Sequence, residues 1–365
     1  MKSKLKEMYP KMKMFGEAQE QSEGNTIGSE LLTFLGVFIV TAFCAGIPAE
    51  IYQMILIAQD PALVEVVNQF TRHEISYNEY VSIIASATST ELSTVLSLFG
   101  TGISTLLTLE YVRKKDNRQI TTVGFRKNTW LQEYAVGMLI GLSMFSVAVG
   151  ICLATGALKF AGVTPKIPWV MIFLYLIGFL IQGMSEEVSV RGYLMVSLSR
   201  RSSMAAAVLI SSVVFACAHL GNPGISVLPM INLVLFGVFA ALYIVKRGNI
   251  WGACGIHSLW NFVQGNFYGI QVSGLSKMDS IFNMESTDLT IVNGGSFGLE
   301  GGLAVSIVLI VSIVILSFTK PKQSEVMSAE EISALDAFIA KREAEPKEEE
   351  PAKKEKAKKK EKAKK

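Results

Sequence analysis

Three histidines and four cysteines are all that the 365-residue sequence offers of the side chains that most often bind transition metals or carry redox chemistry. Cys44, Cys152, Cys217 and Cys254 each stand alone inside apolar runs, with no C-x-x-C pair. That excludes a dithiol motif and leaves them as small core residues. Charge is scarce as well. Only 18% of the residues are charged; they gather at the two ends and in short loops, and the run PWVMIFLYLIGFLI (168–181) has none. Half the residues are apolar, and the mean hydropathy is +0.39. A pair of soluble domains, the reading by length alone, is excluded in favour of a polytopic membrane protein. The net charge of +3 averages a neutral membrane core with a basic tail and says nothing of partners by itself. No signal-peptide cleavage site follows the first apolar run, so the first span is expected to stay attached.

Apolar runs of bilayer length predict an all-α bundle of about eight transmembrane helices. They cover about 31–57, bent or broken near Pro48 and Glu50, then 81–109, 134–158, 169–199, 204–219, 225–245, 250–267 and 303–318. Residues 60–80 read as a polar loop, and Glu91 in the second span as a polar packing residue. Residues 1–30 read as a solvated N-terminal arm, 31–318 as the membrane domain with its functional core at 169–267, and 319–365 as a charged, largely disordered tail. Within that tail, Ser328 is positioned to cap a short helix. Lys and Arg fall on alternate loops, at Arg113–Arg118, Arg126, Lys127, Arg200, Arg201, Lys246 and Arg247, against only Arg72, Lys159, Lys166 and Lys277 on the other side. This bias predicts a multi-pass cell-membrane protein with both termini cytoplasmic. The lysine-rich end suits anionic lipid, and no nucleic-acid partner is expected.

The sequence is organised around QGMSEEVSVRGY (182–193), where Glu186, Glu187 and Arg191 end an apolar run. Ionisable groups inside a membrane segment cost roughly 2.5–3.5 kcal/mol each on insertion scales and need partners. On a helix, Glu187 and Arg191 share a face and pair, while Glu186 is turned about 100° away and left for another use.

His219 closes FACAH (215–219), and His257 opens HSLWN (257–261), with Asn261 on its helical face. Counted at about 1.5 Å per residue, the carboxylate and the two imidazoles lie roughly 10–22 Å in from the cytoplasmic ends of their helices, so one embedded site is geometrically allowed. A carboxylate, two imidazoles and an amide in a sheltered cavity suit the activation of water and the stabilisation of an oxyanion.

These three motifs, EEVSVR, FACAH and HSLWN, in this order on successive helices, resemble the CAAX-processing and bacteriocin-processing (CPBP, or Abi) intramembrane proteases. The resemblance covers about 169–261 and extends to Gly192-Tyr193-Leu194 and to Gly-Asn-Ile-Trp (248–251). It implies an intramembrane endopeptidase acting on a peptide or membrane-protein substrate, in or near the cytoplasmic half of the bilayer. Glu186 would be the general base and His219 a helper on the attacking water. His257 and Asn261 would bind the oxyanion, with Glu187 and Arg191 in support. No cofactor is expected, although Glu186, His219 and His257 are also a set that zinc uses, with water in the fourth position. Two rival readings stay open. One is a catalytically silent scaffold or regulator of the same fold; the other is a proton-coupled transporter, which predicts internal repeats that the sequence does not show.

Overall fold

The computed structural model describes residues 11–344. Twelve of its helices organise the description: α1 (Lys13–Gln21), α2 (Ile27–Gln59), α3 (Pro61–Thr71), α4 (Tyr77–Thr88), α5 (Glu91–Lys114), α6 (Trp130–Ala154), α7 (Trp169–Glu187), α8 (Met204–Cys217), α9 (Val227–Arg247), α10 (Trp251–Phe262), α11 (Leu303–Phe318) and α12 (Ala329–Ala344). The protein is an all-α multi-pass membrane protein. Among the described residues five helices are long and apolar enough to cross a bilayer: α2, α5, α6, the run Trp169–Ser199 that α7 begins, and α9; α8 and α11 are shorter apolar helices.

Several boundaries differ from the sequence reading. Pro48 sits inside α2 without ending it, so the first span is one helix of 33 residues. The second span is instead two helices. Thr90 accepts a hydrogen bond from Ser93 N at 3.1 Å while Ser93 Oγ accepts from Thr90 N at 2.9 Å, a capping box that starts α5 anew after α4. The segment 60–80 is helical over α3, where Asp60 caps Ala62 N and Pro61 occupies the first turn. The N-terminal arm holds α1, whose Met14, Phe15 and Ala18 are buried along with Met12. Three apolar residues at 14, 15 and 18 give this short helix one packing face, which outweighs its polar composition. A two-stranded antiparallel sheet, β1 (Leu158–Val163) with β2 (Phe282–Ser286), joins two loops that read as irregular.

The basic segments at this end are less solvated than expected. Arg200 is fully buried and donates to Asp116 at 2.8 Å, Glu30 at 3.0 Å and Ser22 at 2.5 Å. Arg118 pairs with Asp116 at 2.7 Å. Burial pushes the Arg118 guanidinium below its ordinary pKa, and Asp116 opposes the shift. Every residue from Glu187 to Arg200 is buried, so this side of the bundle is closed.

Close helix contacts in the bundle depend on small residues. A Cβ on Gly137 would meet the Gly252 carbonyl oxygen at 2.1 Å, one on Gly141 the Ile256 oxygen at 2.3 Å, and one on Gly255 the Tyr134 oxygen at 2.3 Å. Backbone against backbone, α6 and α10 are clamped as small-residue membrane helices are. Gly183 does the same between α7 and α10, where a Cβ would lie 2.7 Å from Ser258 N.

Residues from Met327 onward form a separate unit. There Ser328 and Glu331 make a reciprocal cap, at 3.1 and 2.7 Å, that begins α12, the short helix expected in the tail. The lysine-rich end at 345–365, to which the lipid contact was ascribed, lies outside the described residues.

Candidate active site

The Gly183–Ser258 contact sits within one turn of both Glu186 and His257, and it brings α7 and α10 close enough for their polar side chains to meet. After Glu187 the α-helix widens into a π-helical segment, Val188–Met195. Such segments are frequent at functional sites. Arg191, on this segment, donates to Glu187 Oε1 at 3.0 Å with both side chains fully buried. Its guanidinium also lies 4.2 Å from the centre of the Phe215 ring.

His257 stands between the two glutamates. Its Nδ1 is 2.9 Å from Glu187 Oε1 and its Nε2 is 3.6 Å from Glu186 Oε2. A carboxylate accepts, so Nδ1–H donates to Glu187 and Nε2 is the nitrogen that faces Glu186. The ring is edge-on to Phe236, with centroids 5.0 Å apart, and also to Phe215 at 6.0 Å. Glu186 is partly exposed, unlike Glu187. Gln182, one turn before it, donates to Glu186 Oε1 at 2.5 Å, and Asn261 donates to Gln182 Oε1 at 3.0 Å. Asn261, Gln182 and Glu186 therefore form one chain of hydrogen bonds.

His219 reaches the same place from the end of α8. Its Nδ1 donates to the Phe215 carbonyl at 2.9 Å, which leaves Nε2 as an acceptor. Glu186, His219, His257 and Asn261 all line one cavity of about 110 Å³, large enough for several waters. Four buried atoms in and beside it, Glu186 Oε2, Glu187 Oε2, Arg191 Nε and Arg191 Nη2, have no hydrogen-bond partner among the described residues.

The cavity also draws on elements outside the fourth to seventh spans. Leu98 of α5, Val305 and Leu309 of α11, and Val272, Ser273 and Glu300 of the 271–302 loop line it. Gln182 opens the 182–193 stretch but carries no role in the sequence reading, and Glu300 lies outside every motif read from the sequence. For Gln182 the available signal was its offset of four from Glu186; for Glu300, remote in sequence, there was none.

Glu186, His219 and His257 do not converge as metal ligands. Among the described residues no group of three or more His, Cys, Asp and Glu has that geometry, and both nitrogens of His257 face carboxylates.

A protein-family model described as type II CAAX prenyl endopeptidase Rce1-like matches residues 168–263. Over this segment the chain is similar to that family. The Rce1-like segment starts one residue before α7 and ends one after α10, so it takes in Glu186, Glu187, Arg191, His219, His257 and Asn261 together. The match supports an intramembrane endopeptidase at the level of the family. No curated protein and no solved structure matches the chain.

Proposed function

We propose that the protein hydrolyses a peptide bond of a peptide or membrane-protein substrate, with water activated by Glu186. The observation that carries this reading is the single cavity in which Glu186, His219, His257 and Asn261 meet although they come from three helices. Glu186 takes a proton from water as the oxygen attacks the scissile carbonyl carbon, and the Nε2 of His219 accepts from the same water to aim it. The negative charge on the carbonyl oxygen is met by Nε2–H of His257 when the ring is doubly protonated, and by the amide hydrogen of Asn261 that Gln182 does not use. Glu186 then returns the proton to the departing amine as the C–N bond breaks. Glu187 and Arg191 act through His257, fixing which of its nitrogens faces the substrate.

No step is routed through zinc, a choice supported by both nitrogens of His257 facing carboxylates. The protein is placed in the cell membrane with both termini cytoplasmic by the distribution of its basic loops. The lining of the cavity by Asn222, Ser273 and Glu300, from loops opposite the basic ones, supports a site set deeper than the cytoplasmic half expected from the sequence.

The test is cleavage of a fluorogenic peptide library by detergent-purified protein, comparing wild type with Glu186→Gln and His219→Ala. Loss of cleavage in both supports the assignment. An absence of wild-type cleavage, with the variants equally functional in cells, would leave a silent membrane scaffold as the better reading.

A further inference from the structure

The cavity holds a second carboxylate, Glu300, which lies outside the Rce1-like segment. It is 9% exposed, and neutral donors hold both of its oxygens. Trp260 Nε1 donates to Oε1 at 3.2 Å, and Ser273 donates to Oε2 through its backbone N at 2.7 Å and its hydroxyl at 2.8 Å. Asn232 fixes the backbone by donating to the Glu300 carbonyl at 2.7 Å. Glu300 is thus immobilised in the cavity wall with three of a carboxylate's roughly four acceptor sites in use, and one, on Oε1, to spare.

Among the described residues no lysine or arginine lines the cavity. Arg191 is committed to Glu187 and His257 stands between Glu187 and Glu186, so of the two carboxylates lining the cavity it is Glu300 that has only neutral donors around it. The hydrolysis proposed above develops negative charge on the scissile carbonyl. A second fixed anion in a sheltered, low-dielectric cavity opposes that charge. Among the described residues no cation pairs with Glu300, but a substrate can supply one.

We infer that the cavity selects a peptide segment with a basic side chain close to the scissile bond, and that Glu300 is the residue that reads it. The lysine ammonium or arginine guanidinium donates to the spare Oε1 site, and its charge offsets that of Glu300 as the oxyanion forms. A segment with an acidic side chain, or with a free carboxylate at that position, is rejected. The inference depends on the hydrolytic reading for its catalytic step, not for its binding step.

The test uses the full-length protein in detergent and peptides that differ at one position, scanned across the scissile bond, as lysine, Nε-acetyl-lysine or glutamate. Acetyl-lysine keeps the length of the side chain and removes its charge. At one position the wild type should favour lysine over acetyl-lysine by about tenfold or more in kcat/KM, with glutamate poorer still. Glu300→Gln, nearly isosteric, should bring the lysine to acetyl-lysine ratio to within about twofold of unity. Equal rates for lysine and acetyl-lysine at every position in the wild type overturn the inference without any variant, as does an unchanged ratio in folded Glu300→Gln. Binding of the same peptides to Glu186→Gln, read by fluorescence anisotropy, separates the two proposals. Lysine-selective binding, with no cleavage of any peptide by the wild type, keeps the role of Glu300 and removes the hydrolytic reading. Cleavage without charge selectivity does the reverse.

Discussion

His257 donates to Glu187 at 2.9 Å from one ring nitrogen and so presents the other to the cavity. The hydrogen bond leaves the imidazole little freedom to rotate, and Glu187 is itself held by Arg191 at 3.0 Å. A glutamate that does not line the cavity thereby sets the orientation of a residue that does.

Glu187→Gln and Glu186→Gln should therefore fail differently. Losing Glu186, the base, is expected to lower kcat by about 10²–10⁴-fold. Losing Glu187 should cost about 10–100-fold, the usual scale for a partner that only orients a working imidazole. It should also destabilise the protein by about 3–5 kcal/mol, because Arg191 is left as a buried, uncompensated cation. Steady-state kinetics and thermal unfolding in detergent, measured on both variants, separate the roles; equal stability of the two would contradict this assignment.

Gln182→Ala should lower kcat by about tenfold with little change in unfolding temperature, since it breaks the hydrogen-bond chain from Asn261 to Glu186 but removes no buried charge. The measurement is kcat against KM; a change confined to KM would make Gln182 a binding residue instead.

Gly183→Ala forces a methyl to within 2.7 Å of Ser258 N and must separate α7 from α10. Overpacking of this kind costs about 1–3 kcal/mol. A shift of about 1 Å between the helices is enough to lower activity about 100-fold. Activity retained at the wild-type level would show that the helix contact does not set the catalytic distances.

Treatment with a strong chelator should leave cleavage unchanged, because the three candidate ligands do not converge. Inactivation by the chelator with recovery on added zinc would replace the glutamate mechanism with a metal-dependent one.

Asp279, in the 271–302 loop, has its carboxyl pKa raised by burial and, to a lesser degree, by Glu91, whose Oε2 accepts from Asp279 N at 3.3 Å. Raising an acid's pKa on folding penalises the ionised form in the folded state. Stability is thus lost as pH rises from the ordinary carboxylate range through the raised value, and is regained in acid. Asp279→Asn should unfold at a higher temperature than wild type near pH 7, and its advantage should vanish near pH 4. Thermal scans at the two pH values check the sign.

The helix geometry of the central motif was legible in the sequence because it is local. A spacing of four pairs Glu187 with Arg191 on any helix, and one residue's rotation sends Glu186 elsewhere. The order of FACAH and HSLWN, with the depth of each residue, was enough to suggest that His219 and His257 meet. The partner each nitrogen takes was not readable, since it depends on how closely Gly183 lets two backbones approach. Glu300 was hidden for a different reason. It joins the site through a loop that returns from 40 residues beyond Trp260, and no periodicity spans that distance. The break between α4 and α5 escaped notice because Thr90 and Ser93 lie within an apolar run, where hydroxyls are equally at home in a continuous helix. The packing of α1 was obscured by the lysines around its short apolar face.

The length of α2 ties the protein to the membrane around it. Thirty-three residues at about 1.5 Å each extend roughly 50 Å, against a hydrocarbon core of about 30 Å. Phe43 and Met54 are 76% and 64% exposed along it, so the helix meets lipid over much of that length. It must tilt, project past one leaflet or thicken the bilayer locally, each at a modest cost per ångström of mismatch. Gly100 of α5 rests against the Ala45 carbonyl of α2, so a change in the tilt of α2 is felt by the helix that carries Leu98 into the cavity. Acyl-chain length thus becomes a variable of the reaction: vesicles of short-chain and long-chain lipid would set different rates for the same enzyme and the same peptide.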